Sequence, residues 1–123
     1  LSFLTGCGLF RTSKESVEDA VASAPSVLGV TLNAGPGGGL GTMISGTIEL
    51  DVTEDALHDA FDGAWRRGVE EYHRQFDGDR GIPIASVTGL GTDGAEVSAR
   101  DLVDLGESQL PTLGRFYDRY GIG

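Results

Sequence analysis

The most constraining stretch of the chain is a strand pattern that runs straight into a long helix pattern. In residues 43–52, Ile44, Ile48, Leu50 and Val52 alternate with Ser45, Thr47, Glu49 and Asp51, and Gly46 falls on the apolar side. A period of two with a fully polar second set places one sheet face in water and the other on a core. Leu57, Phe61, Ala64, Trp65, Gly68, Tyr72 and Phe76 then recur at helical spacing, an apolar stripe about five turns long. Such a stripe has to be buried, and the apolar sheet face beside it in sequence is the nearest surface. The chain is therefore committed to a helix laid over one side of a sheet, with the other side facing solvent.

Local signals mark the ends of this helix. Thr53 is expected to cap it, with Glu54 and Asp55 in the first turn, where the helix dipole favours acids. Val52 and Leu57 have the spacing of a hydrophobic staple. Gly78 is expected to end the helix. Asp62 with Arg66, and Glu70 with Arg74, stand four residues apart on the wet side, where each pair contributes a few tenths of a kcal/mol.

The remaining elements are read by the same reasoning. Ser16 as N-cap and Asp19 form a weak capping box before Val17, Ala20, Val21 and Ala24, and Pro25 ends that helix. Residues 27–33 read as a strand with Leu28, Val30 and Leu32 on one face and Gly29, Thr31 and Asn33 on the other. Residues 82–88 form another strand, entered through Pro83, and strand–helix–strand predicts parallel pairing with a right-handed crossover. Residues 95–97 add a short fourth strand. Ser98 caps a short helix over 101–105 that Gly106 stops, and residues 112–120 form a terminal helix packed through Leu113, Phe116, Tyr117 and Tyr120. The expected class is α+β: a two-layer sandwich with an antiparallel or mixed sheet of three to four strands and helices on one face. In element order it resembles the ferredoxin-like fold without its usual first strand, a place for which residues 95–97 are a candidate.

Size and charge restrict function. A chain of 123 residues that is 39% apolar and 23% charged suits one globular domain. A net charge of −10, from 19 acidic against 9 basic residues, argues against nucleic-acid binding and against a body lying flat on anionic lipid. The single cysteine excludes an internal disulfide and a Cys-based zinc site. No apolar run approaches the ~20 residues of a spanning helix.

That cysteine, Cys7, comes directly after Leu4, Thr5 and Gly6, behind an apolar lead-in of Leu1 and Phe3. An aliphatic residue, a small hydroxyl residue and glycine before cysteine resemble the lipobox of bacterial lipoproteins. Eight arginines against one lysine and the closing Arg119-Tyr120-Gly121 are similar to small, uncharacterised lipoproteins of actinobacterial type. The resemblance implies that residues 1–6 are the tail of a signal peptide, with Leu4, Thr5 and Gly6 recognised by the signal peptidase. It implies a diacylglyceryl group on Cys7, whose two acyl chains hold a protein stably where one does not. Residues 7–16 are then the acylated cysteine and a linker bearing Arg11 and Lys14, and residues 17–123 the α+β domain. Membrane lipid becomes the expected partner, and the outer face of the plasma membrane the expected location.

Other motifs are weaker. The glycine-rich loop 35–41 lacks the lysine of a phosphate-binding loop, opens a strand rather than a helix, and has Leu40 where a dinucleotide fingerprint needs glycine. It reads as a hairpin connection. Asp55-x-x-His58 and Glu70-x-x-His73 have the form of metal-ligand pairs, but 15 residues separate the histidines on one helix, about 22 Å. Both are expected in solvent. Asp77-Gly78-Asp79-Arg80-Gly81 begins like a calcium loop yet lacks its later ligands, so a helix end and turn explain it. No catalytic, cofactor-binding or metal-binding residue is expected. The reading is a non-enzymatic, membrane-anchored binding or interaction domain of unknown ligand. The alternative is a soluble ferredoxin-like regulatory or ligand-binding module that can pair through its sheet, and a metal-dependent enzyme is the third possibility.

Overall fold

The computed structural model describes residues 13–36, 42–103 and 110–123. Their order is α1 (Ser13–Ala22), β1 (Val27–Pro36), β2 (Thr42–Leu50), α2 (Glu54–Gln75), β3 (Ile84–Leu90), β4 (Glu96–Ser98), a 3-10 turn (Ala99–Leu102) and α3 (Leu113–Tyr120). The sheet runs β1-β2-β3-β4, with β1/β2 and β3/β4 antiparallel and β2/β3 parallel. The parallel pair flanks α2, as the strand–helix–strand pattern requires. This is an α+β two-layer sandwich with a mixed sheet, compatible with a ferredoxin-like architecture. β2 and β3 pair directly, so the place of the usual first strand is closed, and β4 lies outside β3 rather than between them.

The core lies between the helices and one sheet face. Leu32, Ile44, Ile48, Leu50, Ile84 and Val87 from the strands meet Val17 and Val21 of α1, Leu57, Phe61, Trp65, Val69 and Tyr72 of α2, and Leu113, Phe116 and Tyr117 of α3. Trp65 sits at its centre, edge-on to Phe116 at 5.6 Å and to Tyr72 at 6.2 Å. The opposite sheet face carries Thr31, Asn33, Ser45, Thr47, Glu49 and Thr88, as the alternation in β2 demanded. Two glycines permit close approaches, one within the sheet and one between the layers. Gly46 has φ 150°, and a Cβ there would stand 1.9 Å from the Thr31 carbonyl oxygen. At Gly89 a Cβ would stand 2.5 Å from Cδ1 of Phe61, whose ring rests on the bare backbone of β3.

Several local expectations are corrected. α1 starts at Ser13, so Ser16 lies within the helix and does not cap it. In β1 the register shifts between Val27 and Gly29, so Val27 takes the inward place opposite Leu50 and Leu28 is expelled to 63% exposure. β3 begins two residues later than expected, because residues 82–84 are tied to the segment before α3: Leu113 N–H donates to Ile82 O and Ile84 N–H to Pro111 O. Thr53 holds the N-cap position of α2, but its hydroxyl donates to Asp55. The carboxylate that accepts from Glu54 N–H, at 3.1 Å, comes from Asp93 in the β3–β4 turn. Ser98 does cap, through a reciprocal box with Asp101, but the helix it opens is only the single 3-10 turn.

The ion pairs also differ. Asp62 is taken by Arg119 of α3, which reaches both carboxylate oxygens, and Tyr120 donates to the same carboxylate at 2.6 Å. Arg66 turns instead to Glu70, and Arg74 to Glu71. A tertiary fork with a third donor outcompetes an exposed pair along one helix.

Candidate functional site

Leu4, Thr5, Gly6 and Cys7 lie outside the described residues. Of the glycine-rich loop, Gly35 and Pro36 close β1 opposite Met43 and Thr42, so the loop does join two strands of a hairpin, and its residues 37–41 lie outside the described set. His58 is exposed beside Asp59. His73 is half-buried rather than in solvent, its ring 4.9 Å from that of Tyr117. Among the described residues no group of three His, Cys, Asp or Glu could hold a metal ion. The segment from Asp77 to Gly81 is a helix end and turn: Gly78 N–H donates to His73 O, and the Asp79 carboxylate accepts from Gly81 N–H. Arg80 then fastens this turn to α3 through Asp118 and Gly114 O.

A concave site forms elsewhere, where the turn after α1 passes the middle of α2. α1 and α2 approach closely because Gly68 presents no side chain to Val21: an added Cβ would meet Val21 Cγ2 at 2.9 Å. Pro25 and Ser26, the latter at φ 71°, then swing the chain away into β1. Between that turn and α2 lies a cleft of about 260 Å³ lined by Ala24, Pro25, Asp59, Ala60, Gly63 and Arg67, among others. Gly63 and Arg67 also line a second depression, with Arg66 and Glu70. The floor is small and apolar.

Its electrostatics centre on Arg67. Lys14, Arg66, Arg74, Arg80 and Arg119 each pair with a carboxylate. Like Arg100 and Arg115, Arg67 has no carboxylate partner among the described residues; it differs from them in lining the cleft, and its Nη1 donates to the Ser23 hydroxyl at 3.0 Å. The guanidinium is thus positioned by a neutral group and keeps its charge for a further acceptor. Asp59 stands at the other end of the cleft, its side chain 99% exposed. Sequence reasoning missed Arg67, which lay outside both expected ion pairs. The signal was at position 63: four residues before Arg67, glycine leaves the helix surface beside it bare.

The strongest perturbations of acidity lie away from the cleft. Burial pushes the Asp62 carboxyl up, but hydrogen bonds from Arg119 and Tyr120 outweigh it and hold the group below the usual carboxylate range. Burial, then the Asp62 carboxylate, pushes the Tyr120 hydroxyl far above the usual phenol range. This cluster fastens α3 to α2, and Arg119 also donates to Leu102 O, which ties α3 to the 3-10 turn. Comparison with protein-family models, curated proteins and solved structures finds no match.

Proposed function

We propose that this chain is a lipid-anchored, non-enzymatic binding domain on the outer face of the plasma membrane, tethered through acylated Cys7. The observation that carries the reading is the Leu4-Thr5-Gly6-Cys7 string, with the only cysteine of the chain in the lipobox position. Among the described residues no helix is long and apolar enough to cross a membrane, and two acyl chains provide a stable anchor without one. Five residues separate Cys7 from Ser13, where α1 begins, so the start of that helix lies within roughly 20 Å of the acylated residue. The cleft opens at the other end of α1, past Ala22 and about 15 Å along the helix. An anchor at one end and a concave site at the other suit a domain that captures something at the cell surface.

Radiolabelled palmitate tests the reading. Incorporation into the wild type and its loss in Cys7→Ala, with release of the variant from the membrane fraction, are expected. A wild-type protein that stays unlabelled and soluble overturns it. The soluble alternative is favoured by one feature, the ten-residue edge strand β1, which carries no charged residue. It predicts a dimer by light scattering.

A further inference from the structure

The cleft beside α1 has a feature that packing does not explain. Gly63 lies in the interior of α2, where glycine costs about 0.5–1 kcal/mol relative to alanine. Gly68 and Gly89 are required by side chains that press on them, but nothing lies within 4 Å of where a Cβ on Gly63 would be. The protein therefore leaves Gly63 bare without needing the room for itself. The bare position is the one from which both depressions open, and Arg67 stands one helical turn beyond it. A guanidinium held by a hydroxyl and lacking a carboxylate, next to unfilled space, is an acceptor site for an anion.

The surroundings define which anion. Asp59 puts a negative charge at the end of the cleft away from Arg67, while Glu70 beyond the arginine is held by Arg66, so a second negative charge on a ligand reaching along the cleft is repelled by Asp59. Ala24, Pro25 and Ala60 give the cleft an apolar floor for a short aliphatic body, and Ser26 is the one lining residue besides Asp59 and Arg67 with a polar side chain. We propose that this cleft binds monoanionic carboxylates with a short apolar body, the carboxylate on Arg67 and the body over Ala24, Ala60 and Gly63. The proposal rests on the reading of the chain as a binding domain, but it does not need the anchor: palmitate labelling and ligand binding succeed or fail separately. A free small acid and the C-terminal carboxylate of a peptide share this chemistry.

The test titrates the full chain with isobutyrate, isobutyramide, succinate and an N-acetylated dipeptide, monitored by backbone amide shifts. Isobutyrate is expected to give saturable shifts at Ala24, Ala60 and Gly63 in the millimolar range. Its affinity is expected to fall about tenfold or more in Arg67→Gln and to recover in part in Arg67→Lys. Gly63→Leu, which fills the opening and keeps the arginine, is expected to abolish the shifts. Arg67 is exposed and Gly63 unpacked, so both variants should fold, and unchanged amide spectra away from the cleft confirm it. Tighter binding of the dipeptide assigns the carboxylate to a peptide end; tighter binding of isobutyrate assigns it to a free acid. Equal shifts from the neutral amide, stronger binding of succinate, or no saturable shift at all overturns the proposal.

Discussion

Single residues divide into those the packing demands and those it does not, and the glycines of this chain show both. At Gly46 a side chain would collide with the Thr31 carbonyl of the neighbouring strand, a backbone atom that cannot move without opening the β1–β2 ladder. Gly46→Ala is expected to cost more than about 3 kcal/mol in urea unfolding, if the variant folds. Gly63→Ala is expected to raise stability by about 0.4–1 kcal/mol, because the helix gains a better residue and nothing is displaced. Equal effects at the two positions would show that helix or strand propensity, not the close approach, governs both. Asp62 is a different case, since its role is fixed by partners far away in sequence. Asp62 and Arg119 keep 26% and 31% of their side-chain surface exposed, so Asp62→Asn is expected to cost about 1–2 kcal/mol at pH 7. The folded carboxyl ionises below its ordinary value, so its contribution is fully present above the unfolded value and is lost as pH falls through the depressed folded one. Wild type and variant should therefore differ at pH 7 and converge toward pH 2 in urea titrations; a gap that does not narrow in acid removes the carboxylate as the cause.

Whole elements could be read in the sequence where one physical signal dominated them. β2 and α2 were set by clean periods of 2 and 3.6, and both stand within two residues of their expected ends. The misplaced details all depend on a tertiary partner. Leu28 has the right period for burial, but the bulge after Val27 puts it in solvent. The cap of α2 is Asp93, almost forty residues from the helix start, while Thr53 carries the local signal. Removing that carboxylate in Asp93→Ala should lower the thermal midpoint more than Thr53→Ala does; the reverse order would restore the local cap. The edge of β1 has no charge of its own to discourage pairing, a known route to association. Glu18 of α1 supplies the charge, accepting the outward-facing Leu32 N–H at 3.0 Å while also holding Lys14. Glu18→Ala is expected to expose that donor and shift the protein from monomer toward dimer in light scattering. An unchanged mass at high concentration would mean that α1 itself, not its carboxylate, guards the edge.

At the scale of the whole molecule, the parallel pairing of β2 and β3 could be derived from the elements, but the outer place of β4 and the cleft could not. Strand–helix–strand required β2 and β3 to be parallel, and the wet face of β2 required the helices to share the other side. The cleft depends instead on how far the turn at Pro25 and Ser26 stands off α2, and on where Arg67 finds a hydroxyl in place of a carboxylate. Neither has a periodic signature. Charge shows the same division: the excess of acids is plain in the composition, whereas the partner of each arginine is a matter of tertiary geometry. Net charge and local pairing make opposite demands on stability. A chain at −10 repels itself when compact, and ion pairs such as Arg119–Asp62 and Arg80–Asp118 hold it together. Salt weakens both, but unequally. Repulsion among unpaired acids acts over distances near the Debye length, about 10 Å at 0.1 M, while a pair in contact is screened far less. Raising sodium chloride from about 10 mM to about 200 mM should therefore raise the thermal midpoint at pH 7. In Arg119→Gln, which removes a contact pair and makes the net charge one unit more negative, the rise should be larger than in the wild type. A midpoint that falls with salt would show that the pairs, and not the overall charge, set the stability of this fold.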